Sequence, residues 1–197
     1  MTTQLPFKIT NSNAAPPSLT STSFQLTANP STDIWRTPVP VEANRFNAPI
    51  LYKLIPLSSF RRARVTVSAS WTTEYDQGGL VFVFPHTKRW IKSGIEFFQD
   101  QLFVSTVVTD RGADMSLVQT GLRGNKVTLE ARSENGALWI YVVDAEKTVP
   151  IREISWALCG GEEEEVWVGV SAARPDACEG REEALVVDFE GFELEVV

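Results

Sequence analysis

The sequence predicts an all-β protein in which two antiparallel sheets stack as a sandwich. Nine segments have strand length and apolar or alternating residues, and no window shows the sustained 3.6-residue period of an amphipathic helix. The dipeptide Asn135-Gly136 separates two of these segments and is typical of a type I′ hairpin turn. Many short strands without helices favour two packed sheets.

The first segment, 65–72, alternates strictly, with Val65, Val67, Ala69 and Trp71 on one side. This period of two predicts one core face, and it assigns Trp71 to the core. The remaining predicted strands cover 80–84, 90–98, 102–109, 127–132, 138–143, 166–173, 185–189 and 192–196.

The hairpin can be predicted to the residue. If Asn135 and Gly136 form the loop, opposing residue numbers sum to 271, so Ala131 faces Ile140 and Leu129 faces Val142. All four are apolar and share one face, which supports this register.

The chain is predicted to form a single domain, 1–197. Residues 1–20 include Pro16-Pro17 among small polar residues and are expected to form an irregular N-terminal arm. Segment 29–56 contains five prolines, so we expect it to run over the surface with short edge pairings.

Composition is that of an ordinary globular domain, with 43% apolar and 22% charged residues. The start lacks the pattern of a secretory signal, and no apolar run approaches the ~20 residues that span a bilayer. We therefore expect a cytoplasmic protein without a membrane partner.

The net charge of −7 is unevenly distributed: residues from Gly160 onward sum to −10 and the earlier ones to +3. Nucleic-acid binding requires clustered Lys and Arg, so it is not expected. The acidic C-terminal quarter either forms a solvated rim or attracts a basic partner.

Segment 90–98 carries the candidate site. Its odd positions are mostly apolar, so Trp90, Lys92, Gly94 and Glu96 should share the opposite face. Lys92 and Glu96, four residues apart, are separated by ~13 Å, and Gly94 should leave a notch one sugar ring wide between them. An aromatic platform, a cation, a gap and a carboxylate predict one open hollow for a saccharide or polyol.

The alternative is that Lys92 and Glu96 pair with charges on neighbouring strands of a solvated face. Asp76-Gln77-Gly78-Gly79 is explained by turn chemistry, although the Gln77 amide could address a ligand. Trp35 forms either a wall of the site or a plug at one end of the sandwich. Asp114 caps a turn or approaches Glu96 in space.

Several catalytic classes are disfavoured. His86 is the only histidine and lies in a predicted turn, which argues against a histidine metal site or triad. The E-x-D-x-x-E pattern of sandwich glucanases begins at Glu74-Tyr75-Asp76, but Gly79 stands at the position of its second glutamate. No cofactor and no metal site are expected.

Four blocks of this sequence resemble the DUF1349 family, also called regulation of enolase protein 1-like. They are 32–36, 76–80, 90–96, and 105–109 with 114–116. The resemblance implies a concanavalin A-type jelly roll, a cytoplasmic protein, and Thr109 as a further residue near the site. Two positions depart from the family pattern: Met115 replaces the usual Trp, and Gly79 the usual Ala.

Three functions follow as hypotheses. The first is a binding module for a saccharide or polyol-like metabolite, with Trp35, Gln77, Trp90, Lys92, Thr109 and Asp114 as ligand-binding residues. The second is an enzyme, a divergent glycosidase or lyase or a biosynthetic isomerase, in which Glu96 is the acid/base and Lys92 holds an anion. The third is a regulator whose partner is a metabolic enzyme, which the resemblance and the acidic C-terminal quarter suggest.

Overall fold

The computed structural model describes residues 5–18, 21–38, 43–119, 121–144, 147–161, 163–176 and 183–197. Within these ranges the chain forms strands and one short 3₁₀ turn, Leu57–Ser59. The strands are β1 Lys8–Thr10, β2 Ser23–Ala28, β3 Ile34–Thr37, β4 Ala43–Phe46, β5 Ile50–Pro56, β6 Phe60–Ala69, β7 Gln77–Phe84, β8 Arg89–Phe98, β9 Gln101–Thr109, β10 Ala113–Val118, β11 Lys126–Glu134, β12 Ala137–Asp144, β13 Lys147–Ile154, β14 Glu165–Ala173 and β15 Leu185–Val196.

Two large antiparallel sheets form the sandwich. One has seven strands in the order β1-β5-β14-β7-β8-β9-β10, and the other has six in the order β13-β12-β11-β6-β15-β2. Strands β3 and β4 pair only with each other, as a separate two-stranded ribbon. In the described residues no helix is long and apolar enough to cross a membrane.

The main core lies between the two large sheets. Alternate residues of β6 and β11, such as Val65 and Leu129, pack there against Phe82, Ile91 and Val170 of the seven-stranded sheet. Trp71 belongs to this core, as its alternation predicts, and its indole donates to the Asn125 carbonyl at 2.8 Å.

A second apolar cluster covers the outer face, which we define as the face of the seven-stranded sheet that points away from the six-stranded one. Here Ile34 packs with Val81, Val83, Trp90 and Val107. Because Ile34 begins β3, the β3–β4 ribbon lies on the outer face, and we call it the cover ribbon.

The predicted hairpin register is confirmed. Ala131 pairs with Ile140 and Leu129 with Val142, while Asn135 and Gly136 have φ of 52° and 81°. The left-handed conformation at both positions is what a type I′ turn requires.

Three expectations differ from the structure. The N-terminal arm contains strand β1, which pairs with β5. Segment 29–56 does not simply run over the surface, because β5 lies inside the seven-stranded sheet between β1 and β14. The two last predicted strands form the single strand β15, interrupted by a register shift between Glu190 and Glu193 where Gly191 has a φ of 63°.

Candidate functional site

The predicted alternation along β8 holds in three dimensions. Cross-strand pairs place Trp90 beside Val83, Lys92 beside Val81, and Glu96 beside Gln77, and Val81 and Val83 pack in the outer-face cluster. Trp90, Lys92 and Glu96 therefore project from one face, as predicted.

The expected single open hollow is not present. The exposed fractions of Trp90, Lys92 and Glu96 are 1%, 7% and 3%, because the cover ribbon lies above them. The ribbon separates two cavities, so that Glu96 lines one and Trp90 lines the other.

The larger cavity has a volume of about 530 Å³. Buried polar residues form its floor, partly exposed aromatic residues form its walls, and exposed charged residues stand at its mouth. Its lining comprises Asp33, Trp35, Thr37, Arg45, Tyr75, Gln77, Glu96, Phe98, Met115, Pro175 and Asp176.

The smaller cavity has a volume of about 280 Å³. Its lining comprises Arg36, Asn44, Phe46, Val83, Pro85, Lys88, Trp90 and Trp167. Along β3, Trp35 faces the larger cavity and Arg36 faces the smaller one, and their partners Arg45 and Asn44 follow the same alternation. The ribbon therefore stands as a partition with one face toward each cavity.

Lys92 lies beneath the partition and is fully engaged by protein groups. Its Nζ donates to Gln77 Oε1 at 2.5 Å and to Asp33 Oδ1 at 3.3 Å. The ring centroids of Trp35 and Trp90 each lie 5.7 Å from the same nitrogen. A buried cation needs such compensation, so Lys92 fixes the floor and anchors the ribbon.

The Glu96 carboxyl has one buried oxygen, Oε2, for which the described residues supply no hydrogen-bond partner. Desolvation raises the pKa of Glu96 above its ordinary value, against the opposing effects of the Lys92 charge and a hydrogen bond with Ser105. A carboxyl held toward its neutral form at the floor of a cavity can donate a proton or a hydrogen bond.

Asp76 and Arg174 position the floor from below. The Arg174 guanidinium donates to both carboxylate oxygens of Asp76 at 2.7 Å, and the amides of Thr72 and Thr73 donate to Asp76 Oδ2 at 3.0 Å. The turn interpretation of Asp76 is thus correct, with a buried ion pair added. Gln77 follows directly and enters β7.

The outer face has no notch of sugar-ring width at Gly94. A Cβ on Gly94 would collide with the Gly78 carbonyl oxygen of the adjacent strand. The glycine therefore allows the two strands to lie this close together. The space there is about 10 Å³, which is sufficient for a water molecule only.

Two further predicted residues lie away from the larger cavity. Thr109 pairs with Trp90 on the outer face, is 0% exposed, and its Oγ1 has no partner. Asp114 pairs with Val108, a residue of the main core, and its side chain contacts Arg152 at 3.5 Å. The structure therefore does not bring Asp114 to Glu96.

Sequence reasoning missed Asp33, Tyr75 and Phe98 as lining residues. The alternation that placed Glu96 reaches Phe98 two residues later, so that pattern could have identified it. Asp33 lies within a block that resembles the family. No sequence pattern predicted that Tyr75 lines the cavity. Its side-chain position depends on a backbone φ of 65°, which is uncommon for a bulky residue.

In the described part of the chain no three Asp, Glu, His or Cys side chains are grouped so that they could hold a metal ion.

Comparisons with known proteins agree with this architecture. An uncharacterized protein of Emericella nidulans is 45% identical over 177 residues, 88% of this chain and 86% of that protein. Regulation of enolase protein 1 of Saccharomyces cerevisiae is 33% identical over 89 residues, 45% of this chain and 44% of that protein.

Solved structures share the fold. A functionally unknown protein from Saccharomyces cerevisiae superposes with a TM-score of 0.79 at 23% identity, covering 98% of this chain and 97% of that one. A xylan beta-1,4-xylosidase from Bacillus halodurans gives a TM-score of 0.62 at 12% identity, covering 88% of this chain but 32% of that one. At these identities the likeness concerns the β-sandwich fold alone.

The model of a family described as "Protein of unknown function (DUF1349)" matches residues 10–196. Since this match includes nearly all of the sandwich, the chain belongs to the DUF1349 family.

Proposed function

We propose that this domain binds a saccharide or polyol-like ligand in the larger cavity. The observation that carries the proposal is the arrangement of its lining, in which buried polar groups form the floor and aromatic rings form the walls. Ligand pockets combine such apolar walls with a few polar groups, and their volumes run from roughly 300 to 1,000 Å³. The cavity, at about 530 Å³, lies within that range.

The floor offers hydrogen-bonding groups suited to ring hydroxyls. Asp33 and Gln77 lie in this floor, where Asp33 Oδ1 and Gln77 Oε1 accept from Lys92, and Glu96 Oε2 has no partner among the described residues. A buried polar atom without a partner is unfavourable by about 1–3 kcal/mol. A ligand hydroxyl at this oxygen would remove that cost.

The walls offer apolar faces. Trp35 stands on the ribbon side, and Tyr75 lies against Phe98 with ring centroids 5.7 Å apart. Met115 also lines this cavity, at a position where the resemblance gives a Trp. Its side chain is unbranched and flexible, so this part of the wall can adapt to a ligand. One face of a pyranose ring carries C–H groups and can pack against such a surface.

The test is a thermal-shift and NMR screen of monosaccharides, disaccharides and polyols. We expect Trp35→Ala to weaken binding of any hit about tenfold or more, because it removes the largest apolar wall. The matched control is Trp139→Ala, since Trp139 is also a partly exposed tryptophan but lies on β12 in the other sheet. A screen without hits, or equal affinity in the wild type and Trp35→Ala, would count against the proposal.

A second candidate is an enzyme with Glu96 as general acid. The raised pKa of Glu96 favours it, because a proton donor must stay protonated near the working pH. The earlier expectation that Lys92 holds an anion has less support, since its ammonium is occupied by Asp33 and Gln77.

Glu96→Gln separates the two candidates. The amide resembles the neutral carboxyl, so a binding module should keep affinity within a few-fold. An enzyme should keep binding but lose turnover of the same saccharide, measured as product release over hours.

A further inference from the structure

We infer that the smaller cavity is a second binding site, which accepts a small ring-bearing carboxylate. It lies beyond the proposed saccharide site, on the opposite face of the cover ribbon, and its lining differs in charge.

The charged side chains that line this cavity are all cationic. Arg36 and Lys88 are cationic, Asn44 supplies an amide, and Trp90 also belongs to the lining. None of the described lining residues is acidic, whereas the larger cavity has Asp33, Glu96 and Asp176 in its lining.

One donor is buried and unused. Trp90 is 1% exposed, and its Nε1 has no hydrogen-bond partner in the ranges that the structure describes. Buried indole N–H groups usually have an acceptor. Within the described part of the chain this N–H has no acceptor, so an acceptor group of a ligand can fill that role.

Arg36 is held in place at the edge of the cavity. Its Nη2 donates to the Lys88 carbonyl oxygen at 2.8 Å, and a guanidinium has five donors in a planar fork. The remaining donors can address a carboxylate, the planar anion that this fork fits best.

The rest of the wall is apolar and aromatic. Trp167 is stacked on Tyr52 with centroids 4.2 Å apart and an interplanar angle of 13°, which makes it a rigid platform. Phe46 is 37% exposed, and Val83 and Pro85 complete the wall. At about 280 Å³ the cavity accommodates a single ring.

A planar donor set beside a rigid aromatic wall therefore selects a carboxylate attached to a ring. Two sources share this chemistry, an aromatic acid and a sugar acid. Inorganic phosphate has no apolar ring that could pack against Trp167, so it should bind more weakly than either acid.

The experiment measures binding of benzoate and glucuronate at constant ionic strength, by tryptophan fluorescence and ligand-observed NMR. Benzyl alcohol and methyl glucoside serve as neutral counterparts, and inorganic phosphate as an anion without a ring. We expect saturable binding of benzoate, glucuronate or both. Binding of benzyl alcohol and of phosphate should be at least tenfold weaker, and methyl glucoside is compared only for the binding that the Arg36 and Lys88 variants abolish, since the larger cavity is proposed to take saccharides. The stronger of the two acids identifies the source.

The variant Arg36→Gln/Lys88→Gln should lose tenfold or more in affinity. Its matched control, Arg123→Gln/Lys126→Gln, removes the same charge from the other sheet and should bind as the wild type. Single variants at Arg36 and Lys88 replace the double variant if it does not fold.

Equal binding of benzoate and benzyl alcohol, unchanged affinity in the Arg36 and Lys88 variants, or no saturation up to about 10 mM would overturn the inference. Glu96→Gln, a change at a residue that lines only the larger cavity, should leave benzoate binding unchanged. Failure of the saccharide proposal would then leave this site standing, and the reverse also holds.

Discussion

At the residue scale the site is governed by the contrast between Lys92 and Glu96. Both are buried on β8, yet the ammonium has an acceptor in Gln77 and an ion-pair partner in Asp33, whereas one carboxyl oxygen of Glu96 has no partner. Burial of a charge without compensation favours the neutral form. The ammonium is therefore a fixed part of the floor, and the carboxyl is the group left available to a ligand.

This contrast predicts a pH-dependent stability that originates at Glu96. Because burial raises the pKa of Glu96, its contribution to stability is fully present below the ordinary value of about 4.5 and is lost as pH rises through the raised value in the folded state. Glutamine does not titrate. The unfolding free energy of the wild type relative to Glu96→Gln should therefore fall as pH rises from acid toward neutral.

Urea denaturation of both proteins across that pH range measures the difference. A difference that stays constant, or that grows with pH, would show that Glu96 is not held toward its neutral form.

At the element scale, the β11–β12 hairpin is the feature that the sequence predicts best. Both turn residues have positive φ, and the register follows the predicted sum. Two physical signals agree here: the turn chemistry fixes the loop, and the apolar alternation fixes the face.

Gly136→Ala tests this turn, and Gly161→Ala is the control, because the backbone of Gly161 does not have a positive φ. A Cβ would meet nothing within 4 Å at either Gly136 or Gly161, but Gly136 alone of the two has a φ in the left-handed region, +81°. We expect Gly136→Ala to destabilise the fold by about 1 kcal/mol, and Gly161→Ala to be neutral or slightly stabilising. Thermal unfolding provides the comparison; equal effects at the two glycines would contradict the role assigned to the turn.

The cover ribbon could not be predicted in the same way. Its strands β3 and β4 have four residues each, too few for a periodic pattern, and they pair only with each other. Its position depends on long-range contacts such as Lys92 with Asp33 and Arg36 with the Lys88 carbonyl. The sequence therefore predicted which side chains of β8 share a face, but not that a ribbon covers them and divides the site.

At the scale of the whole molecule the two exposed sheet faces differ in character. On the six-stranded sheet the exposed face carries an ion-pair network, in which Arg62 binds Glu130, Glu193 and Glu195. Burial alone would raise the pKa of Glu130, but hydrogen bonds from Arg132 and Arg62 lower it below its ordinary value.

Part of the acidic C-terminal quarter is explained by this network. Glu193 and Glu195 of β15 are partners of Arg62, which fits a solvated charged face. Of the run 162–165, Glu162 lies outside the described residues. A metabolic-enzyme partner remains a prediction.

The outer face of the seven-stranded sheet is different, because the three buried side-chain atoms without partners in the described residues all lie there. They are Trp90 Nε1, Glu96 Oε2 and Thr109 Oγ1. Buried polar groups are ordinarily paired, so this concentration supports the proposal that ligands bind on the outer face.

The most direct measurement is an NMR titration of the ¹⁵N-labelled protein with the strongest saccharide or polyol of the screen. We expect the Trp35 indole and the Gln77 side-chain amide to shift first and to saturate together, while the Trp139 indole on the other sheet stays unchanged. Shifts confined to the six-stranded sheet, or none at saturating ligand, would contradict a binding site in the larger cavity.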